Sequence, residues 1–166
     1  IVFQPIENTN KIIIFLGINR LSYLKKGINY FEKALEIIRE KYADKVEIIV
    51  TENLPYNEYI SIYNKAHILL DQVFAYDQGY NALEAMAKGK VVFTGAETEF
   101  LNQYQLQEDE VCINALPNET EIAAKLSLLI EHPEKIIAIS KNARNFIEKQ
   151  HDYKTIATKY LACWEA

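Results

Sequence analysis

The sequence predicts a three-layer α/β domain, a parallel sheet of about five or six strands with helices on both faces and a helical C-terminus. Three observations carry this prediction. Five short apolar runs alternate with helical patterns up to residue 113. The runs are continuous rather than alternating, as strands covered on both faces require. Beyond the fifth run only helical periodicity follows. With 166 residues, 49% hydrophobic and 25% charged, the chain fits one folded domain rather than a disordered or fibrous one.

The first strand is expected at 12–16, followed by a helix at 27–42 that carries Ile28, Phe31, Leu35, Ile38 and Tyr42 on one face. The second strand lies at 46–50. Pro55 then opens a helix at 57–65 that turns Tyr59, Ile62 and Tyr63 inward. The third strand, 67–70, leads through a polar segment to a helix at 80–88, which Gly89 terminates as a C′ residue. Strands at 91–93 and 111–113 complete the sheet. Ile122, Leu126, Leu129 and Ile130 mark a helix that ends before Pro133, and Ile136, Ile137, Ser140, Ala143 and Ile147 mark the next. Ile156, Tyr160 and Trp164 mark a short last helix. This is a Rossmann-like alternation with right-handed crossovers. It puts ligands at the carboxyl ends of the strands, where strand order reverses, so active residues are expected after the first, third and fourth strands. Residues 1–10 read as the end of a linker or the start of the lobe, and 11–166 as the lobe itself.

A formal charge of −5 argues against nucleic acid as a partner. Cys112 and Cys163 stand apart from each other and from any histidine, so neither a zinc site nor a disulfide framework is expected, and a reducing compartment is the default. There is no signal peptide pattern and no apolar run near the ~20 residues of a membrane span.

The most informative stretch is 79–92. Gly79 precedes a short helix with Glu84 on it, Gly89 stops the helix, and a buried strand follows. A helix N-terminus offers unpaired N–H groups and partial positive charge to an anion such as phosphate. A nearby carboxylate instead accepts hydrogen bonds from sugar hydroxyls. After the first strand, Gly17, Arg20, Lys25 and Lys26 supply the cations that grip phosphate. A solvated basic loop would look the same from composition alone. Neither a Walker loop nor a GxGxxG fingerprint is present. Most helical glutamates are surface residues, but Leu83, Ala85, Met86 and Ala87 surround Glu84 with an apolar helix. Asp71, Asp77 and Glu84 could be read as metal ligands, but loops of this type bind magnesium through a nucleotide beside a Walker-type lysine, so no protein-bound metal is expected. His67, His132 and His151 read as structural or helix-end residues. The tyrosines read as packing, with the Leu54-Pro55-Tyr56 turn on the ligand side of the sheet.

Taken together, these residues resemble the nucleotide-sugar-binding lobe of the group 1 (family 4) glycosyltransferases of GT-B fold. The resemblance rests on Gly17, Arg20, Lys26 and Gly27, on the Leu54-Pro55 turn and the helix ending in Tyr63, and on Gly79, Leu83-Glu84-Ala85-Met86-Ala87, Gly89 and Val91-Val92. Gly95, Glu99 and the Ala143-Arg144 pair add to it, and it covers the chain from Lys11 onward. It implies that Arg20 and Lys26 bind the donor diphosphate and stabilise it as it leaves. It implies donor contacts from Gly17, Lys25, Leu54, Tyr76, Asp77, Gly79, Tyr80, Asn81, Leu83 and Glu84, with Glu84 on the ribose. The family's first glutamate falls at Tyr76, with Asp77 one residue along. Either Asp77 replaces it after a small loop shift, or Tyr76 marks different sugar contacts.

The resemblance further implies a hexosyltransferase acting with retention in polysaccharide or glycolipid synthesis. It needs no cofactor or metal; a UDP or GDP sugar is the substrate. A glycan or glycolipid acceptor would sit on an N-terminal lobe outside this chain, leaving the fragment alone inactive. The implied location is cytoplasmic, or peripheral at the inner membrane face. A noncatalytic nucleotide-binding or scaffold module and a GT-B epimerase are the alternatives. A receiver-like domain would need an acidic pair after the first strand, and the residues there are Gly17-Ile18-Asn19-Arg20.

Overall fold

The computed structural model describes residues 1–6 and 10–165. Five strands, β1 (Ile12–Ile18), β2 (Val46–Glu52), β3 (Ile68–Leu70), β4 (Val91–Thr94) and β5 (Ile113–Asn114), form one sheet in the order β2-β1-β3-β4-β5. Every pairing is parallel, with Leu16 of β1 facing Val50 on one side and Leu70 on the other. The helices are α1 (Tyr23–Lys26), α2 (Ile28–Tyr42), α3 (Tyr56–Lys65), α4 (Tyr80–Ala87), α5 (Thr98–Tyr104), α6 (Glu119–Glu131), α7 (Pro133–Gln150) and α8 (Tyr153–Trp164).

Strand order and handedness together explain the layers. The chain leaves β1 in one direction for β2, then crosses back over β1 to β3. Because parallel crossovers keep one hand, that reversal moves the connecting helices to the opposite face. Helix α2 accordingly packs on one face with α6, against Ile14, Leu16, Ile68, Leu70, Val91 and Phe93. Helices α3, α4, α5 and α7 supply the other core, around Phe15, Leu69 and Val92. Successive residues of β1 thus feed opposite cores, as the strand period of two dictates.

The five expected strands are present, with two differences at the edges. Strand β5 pairs at Ile113–Asn114 rather than over 111–113. Asp109, in a left-handed turn, accepts the Asn114 N–H at 2.9 Å, so Val111 and Cys112 are buried before pairing begins. The helix expected from Gly27 is present as α2, and a single turn, α1, precedes it. Gly27 adopts φ +67, ending α1 before α2 starts, and a side chain there would press on Val73 Cβ at 2.9 Å. Lys25 and Lys26 therefore close a short helix of their own at the mouth of α2. Helix α5 carries too short an apolar pattern to be read from sequence. Gly89 ends α4 at φ +82 as expected, and the Gln4 N–H reaches the Lys88 carbonyl at 2.9 Å, tying the opening residues to that corner.

Histidine and lysine serve the core edge. His67 Nδ1 accepts the Ile13 N–H at 3.0 Å, and burial lowers its pKa, the neutral form that this acceptor role requires. Lys90 is buried and donates to the Asn64 carbonyl at 2.7 Å. Burial, with help from the charge of Lys88, pushes its pKa down to about 8.

Two outcomes follow from these contacts. A Cβ on Gly95 would lie 2.0 Å from the Ala75 carbonyl oxygen, so Gly95→Ala must displace the segment after β3. Urea denaturation should show a loss of about 1–3 kcal/mol; unchanged stability would mean that the segment yields freely. Lys90 holds fewer protons folded than unfolded between about pH 8 and its ordinary value of 10.5, so stability rises with pH in that window. The melting temperature of the wild type should therefore gain on that of Lys90→Met across the window, and parallel curves would refute the shift.

Candidate functional site

Reversal of strand order between β1 and β3 leaves a crevice at the carboxyl end of the sheet. A cleft of about 620 Å³ lies there, and Gly17, Arg20, Lys26, Leu54 and Asn81 line it. Five of the sequence-predicted residues thus converge on one opening from three separate parts of the chain. Two neighbours complete it. Tyr59 of α3 lies across Gly17, and Asn53 follows β2 in a left-handed conformation.

Arg20 sits just beyond β1 in a turn whose geometry is tightly tied. Asn19 Oδ1 accepts the Leu21 N–H at 3.0 Å, Asn53 Oδ1 accepts the Arg20 N–H at 3.2 Å, and the Asn53 N–H donates to the Ile18 carbonyl at 2.9 Å. The Arg20 guanidinium donates to Glu52 at 2.6 Å and lies 5.1 Å from the Tyr23 ring centroid. The hydrogen bond to Glu52 raises the arginine pKa and lowers that of the carboxylate. Both side chains remain about half exposed.

Lys26 ends α1, and its carbonyl accepts the Val73 N–H at 2.8 Å. Its ammonium meets Asp71 Oδ1 at 2.8 Å, and the same oxygen accepts from Asn81 Nδ2 at 2.9 Å. Tyr59 donates to Asn81 Oδ1 at 3.0 Å, and Tyr63 to the Asn81 carbonyl at 3.0 Å. Burial pushes the Tyr59 phenol up to about 12, aided by the charges of Asp71 and Glu84, and raises Tyr63 as well.

The remaining predicted residues stand elsewhere. Gly79 is the N-cap of α4, with no side chain capping the helix. A methyl group there would meet nothing nearer than Gln72 Nε2 at 3.8 Å. Lys25 is exposed and does not line the cleft. Tyr80, Leu83 and Glu84 line a different hollow of about 660 Å³, between α4 and α8. Glu84 is one helical turn past Asn81, and Lys88 holds its carboxylate at 2.9 Å. Lys88 also bonds Asn64 Oδ1 at 3.0 Å and sits 4.8 Å from the Tyr63 ring centroid. Tyr76 and Asp77 are exposed. Tyr76 lines a third hollow with Phe74 and Glu97, and its carbonyl accepts the Glu97 N–H at 3.0 Å. Among the described residues none after β4 lines the cleft; the segment after β2 does instead. Among the described residues, no group of three or more His, Cys, Asp or Glu side chains could hold a metal ion.

Three residues of the site lie outside the sequence expectation. Asp71 closes an apolar run at the ligand edge of the sheet, a polar residue in a telling place. Tyr59 is of ordinary packing type, and Glu52 ends β2 with no pattern to single it out.

A family model described as glycosyl transferase-like matches residues 21–162. The chain belongs to that family. Its fold is shared with the C-terminal domain of a group 1 glycosyl transferase family protein (LpcC) from Francisella tularensis, at 21% identity and a TM-score of 0.65, covering 92% of this chain and 97% of that one. It is also shared with sucrose-phosphate synthase from Thermosynechococcus elongatus (17% identity, TM-score 0.67, 98% of this chain and 49% of that one). The HepE protein of Anabaena, solved with UDP, is similar at 16% identity and a TM-score of 0.66, over 94% and 49% of the two chains. The glycosyl transferase-like chain thus spans about half the length of the latter two proteins. No curated protein sequence matches it significantly. No helix among the described residues is long and apolar enough to cross a membrane.

Lys88→Met removes the ion pair to Glu84, the bond to Asn64 and the contact with the Tyr63 ring together. Urea denaturation should register a loss of about 1–3 kcal/mol. A neutral result would mean that these contacts are satisfied equally well by water.

Proposed function

We propose that the cleft holds the diphosphate of a nucleoside-diphosphate sugar, and that this lobe supports transfer of the sugar to an acceptor hydroxyl. The carrying observation is the convergence of Arg20 and Lys26, from either end of the turn after β1, on one opening beside Asn81 in the first turn of α4. A diphosphate there meets a planar guanidinium that can bind two oxygens and a compact ammonium. The uncapped α4 N-terminus adds backbone donors and a partial positive charge. As the sugar leaves, negative charge grows on the diphosphate, and these fixed groups stabilise it without rearranging. Leu54 lies on the same rim, where backbone groups would meet the base. Glu84 borders the neighbouring hollow one turn beyond Asn81, where Lys88 orients it, and is our candidate for ribose hydroxyls that extend past the cleft.

Membership of the glycosyl transferase-like family supports the reaction class, and a structural relative solved with UDP supports the ligand class. Retention at the anomeric carbon, a hexosyl donor and a glycan or glycolipid acceptor are parts of the same proposal. The acceptor would be held by a second lobe; the chain covers about half the length of sucrose-phosphate synthase and of HepE. On this reading the lobe alone binds nucleotide and transfers nothing.

Calorimetric titration of the chain with UDP and GDP, against uridine and guanosine, tests the reading. Diphosphates should bind and the nucleosides should bind far more weakly, with Arg20→Ala weakening the diphosphate about tenfold or more. In the complete enzyme the same variant should lower kcat by about 10²–10³. Equal binding of nucleoside and nucleotide would overturn the diphosphate assignment, and near-normal turnover of Arg20→Ala would overturn its catalytic role.

A further inference from the structure

We propose that Asp71 is the positioning residue for Lys26, holding its ammonium at the cleft with Asn81 and Tyr59 ranked behind it. This deepens the diphosphate reading and rests on it. The Asp71 side chain is 1% exposed, and a carboxylate so buried requires donors. It has two, the Lys26 ammonium and the Asn81 amide, both on Oδ1. Asn81 has no freedom to turn away, because its own amide oxygen accepts from Tyr59 and its carbonyl from Tyr63. One carboxylate oxygen therefore ties the end of α1 to the end of β3 and the first turn of α4, with α3 bracing from behind. An ammonium has three donors. Asp71 is the one partner that the Lys26 ammonium has among the described residues, and the lysine side chain is 32% exposed. The remaining donors are available to a ligand in the cleft that Lys26 lines.

The second carboxylate of the site offers the opposite case. Glu52 pairs with Arg20 where both side chains are half in solvent, 45% and 51% exposed. Such a pair is weak and screened, so an incoming phosphate can take its place. Glu52 competes with the ligand, whereas Asp71 presents a cation to it. Charge counting alone predicts that removing either carboxylate tightens anion binding. Positioning predicts that removing Asp71 does the reverse.

The test is calorimetric titration of inorganic pyrophosphate and of UDP into the 166-residue chain, with thermal denaturation to check that each variant is folded. Glu52→Gln should bind about two- to fivefold tighter than wild type. Asp71→Asn should bind about tenfold weaker, and Tyr59→Phe should weaken binding in the same direction by less. Adding Asp71→Asn to Lys26→Ala should cost nothing further, since Asp71 acts through the lysine. The proposal is overturned if Asp71→Asn binds as tightly as wild type or tighter, or if its loss adds in full to that of Lys26→Ala. Should Asp71→Asn not fold, Tyr59→Phe decides, because it leaves carboxylate and ring in place; unchanged affinity there overturns the proposal. Wild-type protein that binds neither probe would overturn the diphosphate reading itself, and the proposal with it, before any variant is examined.

Discussion

Everything in the site depends on β1 pairing in parallel on both of its edges. Ile14 faces Ile48 on one side and Ile68 on the other, and the connections that reach these two neighbours, through α2 and through α3, run in opposite directions across the sheet. With handedness fixed, α2 and α3 must lie on opposite faces, and the backbone at the carboxyl end of β1 is left uncovered between them. Gly17 and Arg20 emerge there because they are the next residues of the strand. Lys26 arrives beside Asp71 because α1 is a single turn that Gly27 cuts off. The carbonyl of Lys26 joins the Val73 N–H before α2 begins its descent along the sheet.

The crevice is positively charged only in part. Each cation has a carboxylate, yet the two pairs differ physically. Arg20 and Glu52 form a surface pair in high dielectric, where mutual attraction is small and salt weakens it further. Lys26 and Asp71 form a pair with one member inside the protein, where the aspartate's loss of hydration must be offset by hydrogen bonds. An overall charge of −5 does not conflict with anion binding on these terms. The local field is set by which carboxylate is held back by solvent and which by the core.

The architecture was legible because its signals are periodic. Continuous apolar runs mark buried strands, and Gly89 and Pro133 mark helix ends that the structure keeps. The misreadings came from short elements. Helix α1 has four residues and β5 has two, too few for any period to register, so their boundaries were set by turns at Gly27 and Asp109. In the site, residues of the loop after β1 and of the first turn of α4 were readable as neighbours: Arg20, Lys26 and Asn81 line one cleft. Positions whose role depends on a side chain's direction were not. Glu84 faces Lys88, Tyr76 faces solvent beside Glu97, and Tyr59, a residue of ordinary packing type, spans both core and cleft.

The segment 79–92 acquires its meaning from small residues rather than from its glutamate. Ala82 and Ala85 are buried with Met86 in the second core, and Ala87 is buried beside them in sequence, so α4 lies close to the sheet without bulky side chains to lift it away. That close approach brings Asn81 within reach of Asp71, and Tyr59 and Tyr63 from α3 then fix the amide from behind. Gly79 leaves the helix start without a capping side chain, and a Cβ there would meet only Gln72 Nε2, at 3.8 Å. Gly95 lets the preceding segment fold down over the top of β4, which keeps that segment clear of the opening. The helix start is therefore placed by three separate contacts, two from tyrosine hydroxyls and one from a buried carboxylate. The cation that shares this carboxylate is fixed by the same contacts, so the anion-facing groups of α1 and α4 have one common anchor inside the protein.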